Sequence, residues 1–322
     1  CTKAIELFKE AMAGRNAESG KELYSSILNN AGATHLRLAE VTDRVDNCLL
    51  AISAFEEALK HRTLTGSPRE YAATMCNLGV AYKTLSEVQD EVENASKAIE
   101  SYREGLRVYN PDEHPVYYAS AQNALGAAYL ALGKHKNRAE NCYKAIDAFT
   151  EALRTRTLSQ YPLDYAMTQN NLGSAYLALA EVENPRANCE QAIRSFEECL
   201  KVRTPERFPI QYANTQYNLG CAHAILAEQG DTAENSDMAV ASFKEALRIW
   251  TADKFPFEYA LTHYNIGNSY ILLAQTGGNK SENYRRAIDA FDKSLTVFSE
   301  SSYPEHYNLV QQSISKAKKI FF

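Results

Sequence analysis

A period of 47 residues constrains this chain more than any other feature. The string "YAMTQNNLG" starts at Tyr165, and close relatives start at Tyr71 ("YAATMCNLG"), Tyr118 ("YASAQNALG"), Tyr212 ("YANTQYNLG") and Tyr259 ("YALTHYNIG"). "YSSILNNAG" from Tyr24 is a degraded copy in the same register, so six tyrosines follow one another at 47-residue intervals. A length of 322 residues would otherwise suggest two or more globular domains. Self-similarity at fixed period predicts instead one elongated array whose units contact only their neighbours.

A second string alternates with the first: "NCYKAIDAFTEAL" from Asn141, with counterparts from Asn47, Asn94, Asn188, Asn235 and Asn283. Ala145, Ile146, Phe149, Ala152 and Leu153 fall on one face of an amphipathic helix, helix B of the unit. Leu172, Gly173 and Tyr176 share a face on the preceding helix A. Pro68, Pro115, Pro162, Pro209, Pro256 and Pro304 each stand three residues before the motif tyrosine or its equivalent, Tyr307. That suits the first turn of helix A, where a missing N–H costs nothing. The asparagine four residues before the helix B alanine reads either as an N-cap or as a buried side chain bridging to the preceding loop. The glycines at 32, 79, 126, 173, 220 and 267 lie inside helix A, each costing up to ~1 kcal/mol against alanine. Close approach of the small helix B residues Ala58, Gly105, Ala152, Cys199, Ala246 and Ser294 is the expected compensation.

Leu-Gly-x-x-Tyr on one helix, followed by Ala-x-x-x-Phe-x-x-Ala on the next, resembles the tetratricopeptide repeat over nearly the whole chain. The familiar unit has 34 residues, and the surplus falls in the two connections. The long unit is similar to arrays of prokaryotic regulatory proteins, some preceding a caspase-like (CHAT) protease domain, and to those of kinesin light chains. The resemblance implies an all-α fold, a right-handed α-α superhelix or solenoid of antiparallel helix pairs. The expected division is a half unit 1–20, repeats at about 21–67, 68–114, 115–161, 162–208, 209–255 and 256–303, and a terminal helix 304–322.

At about 100° per residue, Asn170 and Asn171 project away from the face that carries Leu172, Gly173 and Tyr176. In tetratricopeptide arrays that edge of helix A lines the concave surface. One position reads Asn30, Asn77, Ala124, Asn171, Asn218 and Asn265 through the units, and the position before it reads Asn29, Cys76, Asn123, Asn170, Tyr217 and Tyr264. A carboxamide donates and accepts, so a row of them can pair with the backbone of an extended peptide, with Tyr217 and Tyr264 shaping side-chain pockets. The alternative is that the asparagines bond within the array and hold it together. Arg37 and Lys83 are the only charges expected on the inner surface, so the basic set of a carboxylate clamp is missing.

The composition limits the remaining classes. A net charge of -6 argues against a general nucleic-acid binder. No stretch approaches the ~20 apolar residues of a membrane span, and the opening "CTKAIELFKE" lacks the apolar core of a secretory leader. That opening also lacks an initiator methionine and falls inside a repeat, so a piece of a longer chain is expected. Seven cysteines without a CxxC pair read as reduced thiols of a cytoplasmic protein. No catalytic constellation, cofactor motif or metal motif is present. His35 and His223 occupy the helix A tyrosine position as ring substitutes; His61, His114 and His135 are expected near solvent. Acidic pairs such as Glu56-Glu57 and Glu197-Glu198 read as a solvated helix face. The expectation is therefore a non-catalytic scaffold, without a cofactor, that recognises a protein or peptide segment. Two further readings are a regulatory or sensor arm of a larger enzyme and self-association through the terminal helices.

Overall fold

The computed structural model describes residues 20–230, 232–276 and 279–321. All regular structure in these residues is helical: α1 (Lys21–Ala39), α2 (Arg44–Leu59), α3 (Pro68–Leu85), α4 (Glu91–Leu106), α5 (Pro115–Gly133), α6 (Arg138–Leu153), α7 (Pro162–Ala180), α8 (Pro185–Leu200), α9 (Pro209–Glu228), α10 (Thr232–Leu247), α11 (Pro256–Thr276), α12 (Lys280–Leu295) and α13 (Pro304–Phe321). Odd-numbered elements are A helices and even-numbered ones B helices, so the fold is of the all-α superhelical class. The half unit expected at residues 1–20 lies, but for Gly20, outside the described residues.

The described residues form two compact bodies, one ending at Tyr161 and the other starting at Pro162. In the first, α1 to α6 pack in sequence order, and α1 and α5 each also touch α3. In the second, α7 to α13 do the same, with A-to-A contacts from α7 to α9, α9 to α11 and α11 to α13. Among the described residues no B helix touches another B helix. Within each body the A helices therefore crowd together on one side, and the B helices splay on the other.

The core of each pair is an aromatic ring seated on a glycine. Phe55, Phe149, Phe196, Phe243 and Phe291 are fully buried, and Tyr102 nearly so. A Cβ on Gly173 would stand 2.6 Å from the Phe196 ring, and one on Gly79 would stand 2.7 Å from the Tyr102 ring. This corrects the expectation that the glycines face small helix B residues. The small residues approach the same A helix nearer its start: Cys199 packs with Ala166 and Val202, a Cβ on Gly105 would stand 3.3 Å from the Ala72 carbonyl, and the Cys199 sulfur lies 3.6 Å from Thr215 Oγ1 on the next A helix.

The A-to-B turn also differs from the N-cap reading. Helix B begins three residues before the motif asparagine, behind Asp43, Asp90, Asn137 and Asn184, which all take the left-handed conformation (φ 34° to 48°). Asp and Asn tolerate that region better than other non-glycine residues. Asn47, Asn94, Asn141 and Asn188 are buried in the first turn, and their amides donate back into the turn: Asn47 to the Thr42 carbonyl (3.2 Å), Asn94 to Gln89 (2.8 Å), Asn141 to Lys136 (2.7 Å), Asn188 to Glu183 (2.6 Å). The bridging alternative holds, because an orphan turn carbonyl beside a core needs a donor. Asn279 is a true N-cap, its Oδ1 accepting from the Glu282 N–H at 3.1 Å.

Candidate functional site

The exposed edge of the A helices is built on a buried polar seam. Thr74, Thr168, Thr215 and Thr262 are wholly buried, and each hydroxyl donates to the carbonyl four residues earlier at 2.6–2.8 Å. Arginines from the ends of B helices reach this seam. Arg62 donates to Thr74 Oγ1 (2.9 Å) and also to Ser25 and Ser26 on α1; Arg203 donates to Thr215 Oγ1 (3.1 Å).

The asparagine row lies directly above the seam. Asn77 Nδ2 on α3 donates to Asn29 Oδ1 on α1 at 3.1 Å, and the Thr74 hydroxyl, whose proton goes to Glu70, lies 3.2 Å from the same oxygen. On the second body, Asn170 Oδ1 lies 3.0 Å from the Thr215 hydroxyl, whose proton goes to Gln211, and Asn265 Nδ2 donates to Tyr217 Oη (2.9 Å). These bonds run from one A helix to the next, so the carboxamides fix A-helix spacing within each body. The sequence left the ligand and scaffold roles open, and the scaffold bonds are present.

Asn77, Asn170, Asn171, Asn218, Asn265, Tyr217 and Tyr264 are all half-buried; Asn30 is exposed and Asn123 is buried. The Asn218 carboxamide makes no hydrogen bond among the described residues, and Asn77 and Asn265 each use only the amide nitrogen. Tyr264 Oη accepts a long bond from Ser313 Oγ on α13 (3.5 Å). The two expected inner charges diverge: Arg37 is exposed, whereas Lys83 is tied with Arg44 to Glu87.

The repeated tyrosine and the acidic pair turn out to be partners. Tyr165 Oη donates to Glu198 (2.8 Å), Tyr212 to Glu245 (2.7 Å) and Tyr71 to Glu104 (3.2 Å). A basic residue three positions on pairs with each carboxylate: Lys201, Arg248 and Arg107. Lys201 and then Tyr165 hold the Glu198 carboxyl below its ordinary range, while burial and then Glu198 push the Tyr165 phenol up. The acidic face is thus solvated but committed to holding helix A on helix B. His35 and His223 do replace the packed tyrosine, and their Nδ1 atoms lie 3.0 Å from Asn47 and Asn235 Oδ1. His114 lies half-buried in the connection before α5, where Arg69 Nε donates to its Nε2 at 3.1 Å.

The described cysteines are free thiols, and burial pushes Cys76, Cys189 and Cys221 up to about 12. No helix among the described residues is long and apolar enough to cross a membrane.

Helix pairs of this kind, stacked on an asparagine-bearing edge, form a tetratricopeptide-like repeat array. Among solved structures, BtubC (BKLC) from P. vanneervenii superposes with a TM-score of 0.55 at 18% identity, covering 80% of this chain and 91% of that one. MamA matches at 0.44 and 16% identity (70% and 94% covered), and the yeast Sti1 TPR2AB domain in its pHSP90 complex at 0.30 and 16% (91% and 98%). No protein-family profile and no curated protein matches the chain.

Proposed function

We propose that the chain is a non-catalytic recognition scaffold that holds an extended peptide segment of a partner protein along the A-helix edge. The observation that carries this is the half-buried asparagine row with hydrogen-bonding capacity left over: all of Asn218, and the Oδ1 atoms of Asn77 and Asn265. Carboxamides that keep an acceptor or donor free can pair with peptide N–H and C=O groups whatever the sequence. Their scaffold bonds serve that task, since a held side chain loses little entropy on binding.

Asn218 separates the two roles, because it has no internal bond to lose. Peptides would be selected by display against the folded chain, and their affinity measured for Asn218→Ala. A loss of about fivefold, equivalent to one hydrogen bond of about 1 kcal/mol, with an unchanged melting temperature, is the expected result. Unchanged affinity for every selected peptide in Asn218→Ala and in Asn77→Ala would show that the row is scaffold alone.

A further inference from the structure

One junction between consecutive repeats departs from the others at several positions that meet in space. Tyr109 stands where three other repeats carry Arg62, Arg156 and Arg203; Ala121 stands where four carry the buried threonine; Ala124 replaces the row asparagine found in the other five. Tyr117 replaces Glu70, Asp164, Gln211 and Glu258. With neither guanidinium nor threonine hydroxyl at this junction, Tyr109 packs with Ala72 and Ala121 and stacks on Tyr117 (centroids 5.2 Å apart, planes at 21°).

The substitutions open two adjoining cavities on the first body, of about 250 and 440 Å³, with Ala73, Tyr109 and Tyr117 in the walls of both. The smaller is floored by Ala121 and Ala124 beside Asn77, and the larger ends at Arg62, Arg69 and His114. Neither arginine has a carboxylate within ion-pair distance among the described residues, and Arg62 is buried. Because His114 Nε2 accepts from Arg69, the ring proton sits on Nδ1, which is buried without an acceptor. Glu113 is engaged by the Asn110 amide (3.1 Å), which leaves Glu70 as the one carboxylate at this end without a partner among the described residues. Arg69 gives only its Nε to His114 and Arg62 keeps a second N–H on each terminal nitrogen, so donors remain there for a carboxylate, and the other end is apolar and aromatic.

We propose that this cleft is the anchor pocket of the scaffold: it takes an aromatic side chain of the bound peptide, with a neighbouring acidic residue of that peptide pairing with Arg69 and Arg62. The inference rests on the peptide-binding reading and adds to it a place and a preferred residue pair. The aromatic ring enters over Ala121 and Ala124 against Tyr117, and the row asparagine Asn77 lies beside it to hold the peptide backbone. Buried aromatic anchors in preformed pockets carry most of the energy of such interfaces. The ligand carboxylate competes with Glu70 for the same cations.

The test uses three capped peptides, acetyl-Gly-Phe-Glu-Gly-amide and its Phe→Ala and Glu→Gln forms, titrated into the whole chain and followed by alanine-methyl NMR. Expected are saturable shifts with the Phe-Glu peptide, several-fold weaker binding of the Phe-Gln form, and none with the Ala-Glu form. Ala124→Asn restores, at a half-buried position, the residue the other five repeats carry and leaves the Tyr109–Ala121 contact intact, so it should fold normally and lose at least about tenfold, or 1.4 kcal/mol, in affinity. Tyr117→Glu, at an exposed site, should do the same, and Glu70→Gln should tighten binding. Absence of binding by the Phe-Glu peptide, or equal binding to the restored variant, would overturn the proposal. Display-selected peptides that respond to Asn218→Ala but not to the restored variant would sink the pocket and leave the groove reading standing.

Discussion

A single glycine shows how competing magnitudes settle a position. Alanine is the better helix former by up to ~1 kcal/mol, yet a Cβ at Gly173 would stand 2.6 Å from a fully buried ring. Overpacking of that kind costs about 1–3 kcal/mol. Gly173→Ala is therefore expected to lower the denaturation midpoint, and a raised midpoint would mean that Phe196 can move aside. His263 makes a second case. It stands where other repeats carry Gln122, Gln169 and Gln216, stacks edge-on against Tyr259 (4.5 Å), and has a buried, unpartnered Nδ1. Burial, and then Lys293, lowers it to about 4 from the ordinary 6.5. Between those values the unfolded chain binds a proton that the folded chain refuses, so stability falls as pH drops from about 6.5 to about 4. Urea unfolding of the wild type and His263→Gln across that window should show the extra slope in the wild type only.

At the scale of elements, the turn between helices A and B is the least legible part of the sequence. The helices announced themselves through periodicity and proline, because burial on one face and a missing N–H leave direct marks on residue choice. The turn did not, since an Asn at one position and an Asp or Asn four residues earlier look equally like caps. Geometry separates them. Asn188 bonds the Glu183 carbonyl from inside the helix, while Asn184 supplies the left-handed corner. Asn188→Ala should cost about 1–2 kcal/mol through an orphaned carbonyl, whereas Asn184→Gly should be neutral or stabilising by up to about 1 kcal/mol. Equal losses in chemical denaturation would contradict this division of labour. The Tyr165–Glu198 pairing was equally hidden, because its 33-residue separation belongs to no local pattern. The pocket at Tyr117 did leave a trace: the one aromatic in a column that otherwise reads Leu23, Glu70, Asp164, Gln211 and Glu258 is visible once the repeats are aligned column by column.

At the scale of the molecule, each of the two bodies has its own glycine-ring cores and its own polar seam. Nearest-neighbour arrays draw stability from repeats and their junctions. Residues 162–322 expressed alone should therefore melt cooperatively with the helical signal of their sequence, as followed by circular dichroism; a molten, non-cooperative trace would count against it. The repeat invites the view that the helix pair is the exchangeable piece. The packing of Tyr109 with Ala121 says otherwise, because those residues belong to consecutive pairs and make sense only together. An engineer who swaps pairs at the prolines would mate Tyr109 with a threonine, or an arginine with Ala121. The module that can be transplanted intact starts in the middle of one pair and ends in the middle of the next.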